Sequence, residues 1–233
     1  YRTKKTGPPT TAKGLNRWEW NLRYTGATMF EGIIIWSAQP QNGPKAPPGS
    51  YEVRITANGI TKSAKFNINI DPRLTGVTDG DIQEQFRLAH QIKEKTSMAN
   101  EAVIQIRYIR TQIDDRLEKT NDRRIHRMAT DLMTNLIRIE ETIYQTKNES
   151  SQDPLNFPIR LNNRFASLRR SVETGDAKPT NGAYRVFGEL SAELDDQLEA
   201  LEEELAQKLN PLNSRLSSKQ LDVVSATLEE NKF

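Results

Sequence analysis

The sequence changes character abruptly at Asp71-Pro72. Before that point, apolar residues alternate over short runs separated by Pro- and Gly-rich turns, the period of strands. After it, apolar residues recur every three or four positions almost to the end, the period of helices facing a common core. One element cannot satisfy both periods. The chain is therefore committed to a mixed α+β architecture with its β part first and its helices second.

In the β part, Leu15 to Tyr24 alternates in part, which would place Trp18, Trp20 and Leu22 on one face of a strand. Met29 to Trp36 is a second apolar segment and contains the longest apolar run, Ile33-Ile34-Ile35-Trp36, which is strand-length. Gln39 to Ser50 is a long turn region. Tyr51, Val53 and Ile55 then share one face of a strand, and Phe66, Ile68 and Ile70 share a face of its partner. Asn58-Gly59 between them is the strongest hairpin signal in the chain, since both residues tolerate positive φ. Pro72 ends the second strand because it lacks the N–H that a ladder needs.

Thr78 or Asp79 can cap the first helix, which carries Ile82, Phe86, Ala89 and Ile92. A restart is expected at Thr96-Ser97, and the next helix carries Ile106, Ile109, Ile113 and Leu117. Asn121-Asp122 breaks the pattern. A third helix follows with Ile125, Met128, Leu132, Leu136, Ile139 and Ile143. A fourth is expected over about 154–173, with Leu161, Phe165, Leu168 and Val172 inward. After the break at Gly175 to Gly182, leucines from Leu190 to Leu209 step by three and four until Pro211, which is expected to stop the helix. Such narrow seams read as an antiparallel bundle. Leu221, Val223 and Val224 in the tail would dock on that bundle or on another domain.

Charge and composition exclude several functions. The net charge is only +2, which argues against a dedicated nucleic-acid binder. It is unevenly spread: residues 1–71 hold 10 Lys and Arg against 4 Asp and Glu, so the helical part is acidic. The absence of cysteine removes disulfides, thiolate metal sites and cysteine nucleophiles. No apolar run is long enough to span a membrane as a helix. The first residue is Tyr rather than Met, so the chain is expected to be processed or cut from a longer polypeptide.

Three segments carry a resemblance: 14–24 (GLNRWEWNLRY), 43–53 (GPKAPPGSYEV) and Asp71-Pro72-Arg73. Their order and spacing resemble the C-terminal region of bacterial sortilin-like, BNR-repeat "glycosyl hydrolase" proteins over roughly 14–120. The resemblance implies an exported protein in which a large β-propeller precedes an immunoglobulin-like domain and a helical region. It thus implies a small immunoglobulin-like β-sandwich at 14–72, incomplete at its N-terminus, followed by the helical bundle at 78–210. A basic lead-in at 1–13 and a tail at 211–233 flank them. It also implies an extracytoplasmic location (periplasm, cell surface or secreted) and places any glycosidase activity in the propeller. Asn21 stands where such proteins usually have Asp, so a strand-edge carboxylate is absent here.

Candidate chemistry is sparse. His90 and His126 lie on separate helices without a second histidine four residues on, so no helical metal pair exists. Asp114-Asp115, Glu140-Glu141, Asp195-Asp196 and Glu202 to Glu204 are adjacent carboxylates. Adjacent helical residues point about 100° apart and cannot face one sugar cleft; they read as solvated polar faces. Gly43 to Gly49 has three prolines and no following Lys-Ser/Thr, so it is not a phosphate loop. Lys4, Lys5, Lys13 and Arg17 read as a solvated basic terminus. Trp18, Trp20 and Trp36 are the binding candidates, since exposed aromatics stack on sugars or partner side chains. Core packing is the competing reading, above all for Trp20 and Trp36.

The sequence thus reads as a non-catalytic interaction and assembly module. It needs no cofactor, catalytic residue or metal, and its partner is a protein: its own upstream propeller or a cell-surface complex. The alternatives are a carbohydrate-binding module working through Trp18 or a neighbouring aromatic, and an accessory part of a glycoside hydrolase.

Overall fold

The computed structural model describes residues 9–227 and is a mixture of α and β, with the strands first. Lys4 and Lys5 of the basic lead-in, and the last residues of the tail, lie outside the described residues.

Two separate two-stranded antiparallel sheets form. The first pairs β1 (Arg23–Thr25) with β2 (Asn42–Lys45), with an irregularity between Arg23 and Thr25. Gly43 is needed here for close approach, because a Cβ at this position would lie 1.9 Å from the Tyr24 carbonyl oxygen. The second sheet is a hairpin of β3 (Gly49–Ala57) and β4 (Ile60–Ile68), in unbroken register from Gly49 with Ile68 to Ala57 with Ile60. Asn58 (φ 50°) and Gly59 (φ 77°) make the turn that the sequence predicts.

Of the expected Leu15–Tyr24 strand only Arg23 and Tyr24 fall within a strand, β1, and Met29–Trp36 forms no strand. The apolar run finds its cover on the helices instead: Phe30 and Ile33 pack against the helical core. Two of its backbone N–H groups, and that of Thr28 just before it, find side chains rather than a ladder. Thr28 donates to Ser97 Oγ (3.0 Å), Ile34 to Tyr144 Oη (3.1 Å) and Trp36 to Asn163 Oδ1 (2.6 Å). An apolar run asks for burial, and its period does not say against what.

Helix α1 runs unbroken from Asp79 to Glu118. Thr78 caps it in a reciprocal box with Asp81. The expected restart at Thr96-Ser97 does not occur, because both hydroxyls are used without opening the helix. Thr96 Oγ1 bonds back to the Ile92 carbonyl (2.8 Å), and Ser97 serves the Thr28 N–H. Helix α2 spans Arg123–Ile143, α3 Leu161–Val172 and α4 Asn181–Glu204. The chain does not stop at Pro211. A widened five-residue turn, Leu205–Leu209, leads into α5 (Asn210–Ser217), and this accommodates a proline that has no N–H to return.

Helix α1 packs against α2, α3 and α4, and α3 also packs on α4. Leu88, Ile92, Ile106, Ile109 and Ile113 of α1 meet Ile125, Leu132, Leu136 and Ile143 of α2, Phe165 of α3 and Leu190 and Leu194 of α4 in one apolar core. The segment after α5 folds back: Val224 is buried and exchanges two hydrogen bonds with the Asn213 side chain. Gln112 on α1 holds Ser225 in the same way. Among the described residues, no helix is long and apolar enough to cross a membrane.

Asp122, expected as a break, is the N-cap of α2. Its carboxylate accepts from the Arg124 and Ile125 amides and from Arg215 Nη2 (2.6 Å). The Ile125 amide, then Arg215 and the Arg124 amide, hold its pKa down to about 2. A depressed carboxylate pKa stabilises the fold fully above its unfolded value, about 3.9, and loses that contribution as pH falls towards 2. Urea melts should therefore show Asp122→Asn less stable than the parent at pH 7 and converging with it near pH 2. A gap that persists unchanged at pH 2 would exclude this linkage.

Candidate interaction surface

The β3–β4 hairpin is the exposed element of the molecule. Neither outer edge carries a further strand among the described residues. Strand alternation sorts its side chains cleanly. Glu52, Arg54, Thr56, Thr61, Ser63 and Lys65 lie on one face. The other face carries Tyr51, Val53, Ile55, Ile60, Ala64 and Phe66, together with Lys62 opposite Ile55.

Only the root of the apolar face is covered. Tyr51 and Phe66 stack with their centroids 5.8 Å apart, and Trp20 closes over both at 5.7 and 6.2 Å. The Trp20 indole N–H donates to the Arg23 carbonyl (2.8 Å), which ties this aromatic cluster to β1. Tyr51 Oη donates to the Pro47 carbonyl (2.7 Å), and burial pushes its pKa up to about 12. Further out, Val53 is 40% exposed and Ile55 and Ile60 are each 66% exposed. Such a face is normally packed against a second layer.

The root of the hairpin is mounted on the helices through a charged junction. Glu173, the C-cap of α3, accepts from the Lys45 amide (2.8 Å), Arg23 Nη1 (3.4 Å) and Arg169 Nη1 (2.8 Å). Lys45 Nζ also reaches Asp176 (3.2 Å), and Arg169 donates to the Gln39 carbonyl. Burial lowers the Arg169 pKa while Glu173 opposes the shift. A cleft of about 300 Å³ opens beside this network, lined by Arg23, Lys45, Ile70, Phe86 and Glu173 among others. Its charged groups are spoken for: Arg23 by Glu173, Lys45 by Asp176, and Asp71 by Arg73, whose guanidinium holds that carboxyl below the usual range.

The three tryptophans have different supports. Trp20 is half-buried in the hairpin root. Trp36 is half-buried on the helical side, its backbone gripped twice by Asn163. Trp18 is 46% exposed. Of the expected solvated lead-in, Arg17 is exposed and pairs with Glu19 (2.7 Å).

The two histidines stand apart. His90 is 3.6 Å from Glu94, and His126 Nε2 contacts the Thr120 carbonyl (2.8 Å). Among the described residues, no group of three or more His, Asp or Glu could hold a metal ion. Most of the paired carboxylates are exposed, as expected, and some serve surface ion pairs, such as Asp115 with Lys119 and Asp195 with Lys95. Glu140 is the exception and corrects the solvated-face reading. It is buried and clamped by Arg107 and Arg110, each at 2.7 Å. The signal was present: Glu140 lies four residues after Leu136 and three before Ile143, within the apolar stripe.

Comparison of the chain with known protein families, curated proteins and solved structures returns no match.

Proposed function

We propose that this chain is a non-catalytic interaction and assembly module that works through the β3–β4 hairpin. The observation that carries the reading is the open apolar face: nine-residue strands, paired only with each other among the described residues, expose Val53, Ile55 and Ile60. An isolated two-stranded hairpin is marginal in water, and its free edges invite further strands. A partner that adds a strand or lays a sheet across the face gains both burial and main-chain hydrogen bonds. In this reading the strands and the Trp20 cluster are part of an immunoglobulin-like sandwich that the partner completes. The helices form the bundle on which it is mounted.

The resemblance of 14–24, 43–53 and 71–73 to sortilin-like BNR-repeat proteins supplies the partner's kind. It is the β-propeller of an exported bacterial protein, or a cell-surface complex, and the chain acts outside the cytoplasm. Exposure of Trp18 favours a second reading, a carbohydrate-binding surface, with a glycoside hydrolase as the larger assembly.

A photo-crosslinking residue placed at Ile55 or Ile60 in the native host tests the first reading. It should yield discrete adducts, within the parent polypeptide or to another protein, while the same residue at Thr61 or Ser63 on the polar face should yield few. Equal labelling from both faces, or none, would overturn it. Glycan binding that is lost on Trp18→Ala, with no adduct from Ile55, would favour the carbohydrate reading.

A further inference from the structure

Within the open face, one side chain does not belong to an apolar surface. Register places Lys62 opposite Ile55, on the side that carries Val53, Ile60 and Ala64. The other charged groups of the two strands, Glu52, Arg54 and Lys65, lie on the opposite face, where Arg54 and Glu52 approach each other at 3.5 Å. Among the described residues, no ion pair engages Lys62. A lysine in such a place blunts the face against indiscriminate association. It also sets a condition on any cover: an ammonium taken out of water is costly unless a carboxylate meets it.

We propose that the partner of the hairpin presents an apolar strand surface carrying a carboxylate that pairs with Lys62. The inference rests on the docking reading above and names the chemistry that dock requires. Lys62 is the one charged side chain that the strands place on this face, with no carboxylate beside it, so charge complementarity points the same way. It argues against a second copy as the occupant, because two identical faces would bring lysine towards lysine with no carboxylate between them. Lys62 then acts as the selector: the apolar residues supply adhesion, and the ammonium rejects apolar surfaces that lack an acid.

Short random peptides displayed on phage, selected on the full chain, test this directly. The enriched sequences should alternate apolar residues with Asp or Glu. The same peptides, made synthetically, should bind Lys62→Glu at least about tenfold more weakly, an effect within the range for a close charge pair at an interface. Lys62→Arg should retain binding. These positions are exposed and remote from the helical core, so unchanged thermal melts should confirm that both variants fold.

Enriched peptides without acids, or with affinities indifferent to Lys62→Glu, overturn the proposal while leaving the docking reading in place. Peptides that bind Ile55→Lys as well as the parent, or no enrichment at all, overturn the docking reading itself. Concentration-dependent dimers abolished by Ile55→Lys identify a second copy as the occupant and overturn the acidic-partner proposal.

Discussion

Phe165→Ala should cost about 3–5 kcal/mol of stability, the range for deleting a large buried aromatic. The ring is fully buried and meets Phe187 edge to face, with centroids 6.4 Å apart and planes at 71°. Three helices converge there, since α3 packs on α1 and on α4. Neighbours fixed in three directions cannot collapse into the space, so the cavity term adds to the lost transfer energy. For a chain of this size the midpoint of thermal unfolding should fall by roughly 10 °C.

A local effect should accompany the global one. Helix α3 presents Asn163 to the Trp36 backbone, and its C-cap Glu173 receives the Lys45 amide. Loosening α3 therefore releases the segment that carries the hairpin root, and tryptophan fluorescence, to which Trp36 contributes, should shift at denaturant concentrations below the main transition. A loss under about 1 kcal/mol, the usual scale of a surface change, would mean that α3 is not seated on its Phe165 face.

The hairpin was legible because local chemistry fixes it. Asn58-Gly59 sets the turn, and counting outward from it pairs Val53 with Ala64 and Ile55 with Lys62. What no pattern states is that the face stays uncovered, since alternation declares a wish for burial and not its fulfilment. The cap was legible as Thr78 or Asp79, of which Thr78 serves, and the core positions from Ile106 to Leu136 were legible because the helical period carries them.

Where sequence and structure differ, tertiary partners often outbid a local signal. Met29–Trp36 has the composition of a strand, yet Tyr144 and Asn163 from distant elements take the Ile34 and Trp36 amides, and Ser97 takes that of Thr28 just before it. Thr96-Ser97 looks like a break and is silenced by a back-bond and by Thr28. Pro211 looks like a stop and is absorbed by one widened turn. Glu140 has the residue type of a solvated face but the helical position of a core residue, and position decides its burial.

Glu140→Ala should be the most damaging polar substitution, at about 3 kcal/mol, the lower end of the range for breaking a buried ion pair. Its side chain is 2% exposed, with one oxygen on Arg107 Nε and the other on Arg110 Nη1. The arginines are 39% and 34% exposed, so they keep part of their hydration, which places the cost at that lower end. Removing the carboxylate leaves two guanidiniums side by side, one turn apart on α1, with no counter-charge between them. Arg107 cannot simply swing away, because its guanidinium lies 4.8 Å from the Phe30 ring centroid and 5.4 Å from that of Tyr144. The pair thus couples α1 and α2 to the Met29–Trp36 segment.

A double-mutant cycle separates this role from simple packing. Arg110→Met should relieve part of the damage caused by Glu140→Ala, giving a coupling of about 1–3 kcal/mol, whereas independent packing losses would add. Glu140→Gln keeps the acceptor shape without the charge and should fall between parent and alanine. The deficit should change little with added salt, since screening reaches a buried carboxylate poorly. Urea melts of the four proteins of the cycle at low and high salt decide it. Strict additivity would show that Glu140 merely fills space between α1 and α2, and that the arginines are held by their aromatic neighbours alone.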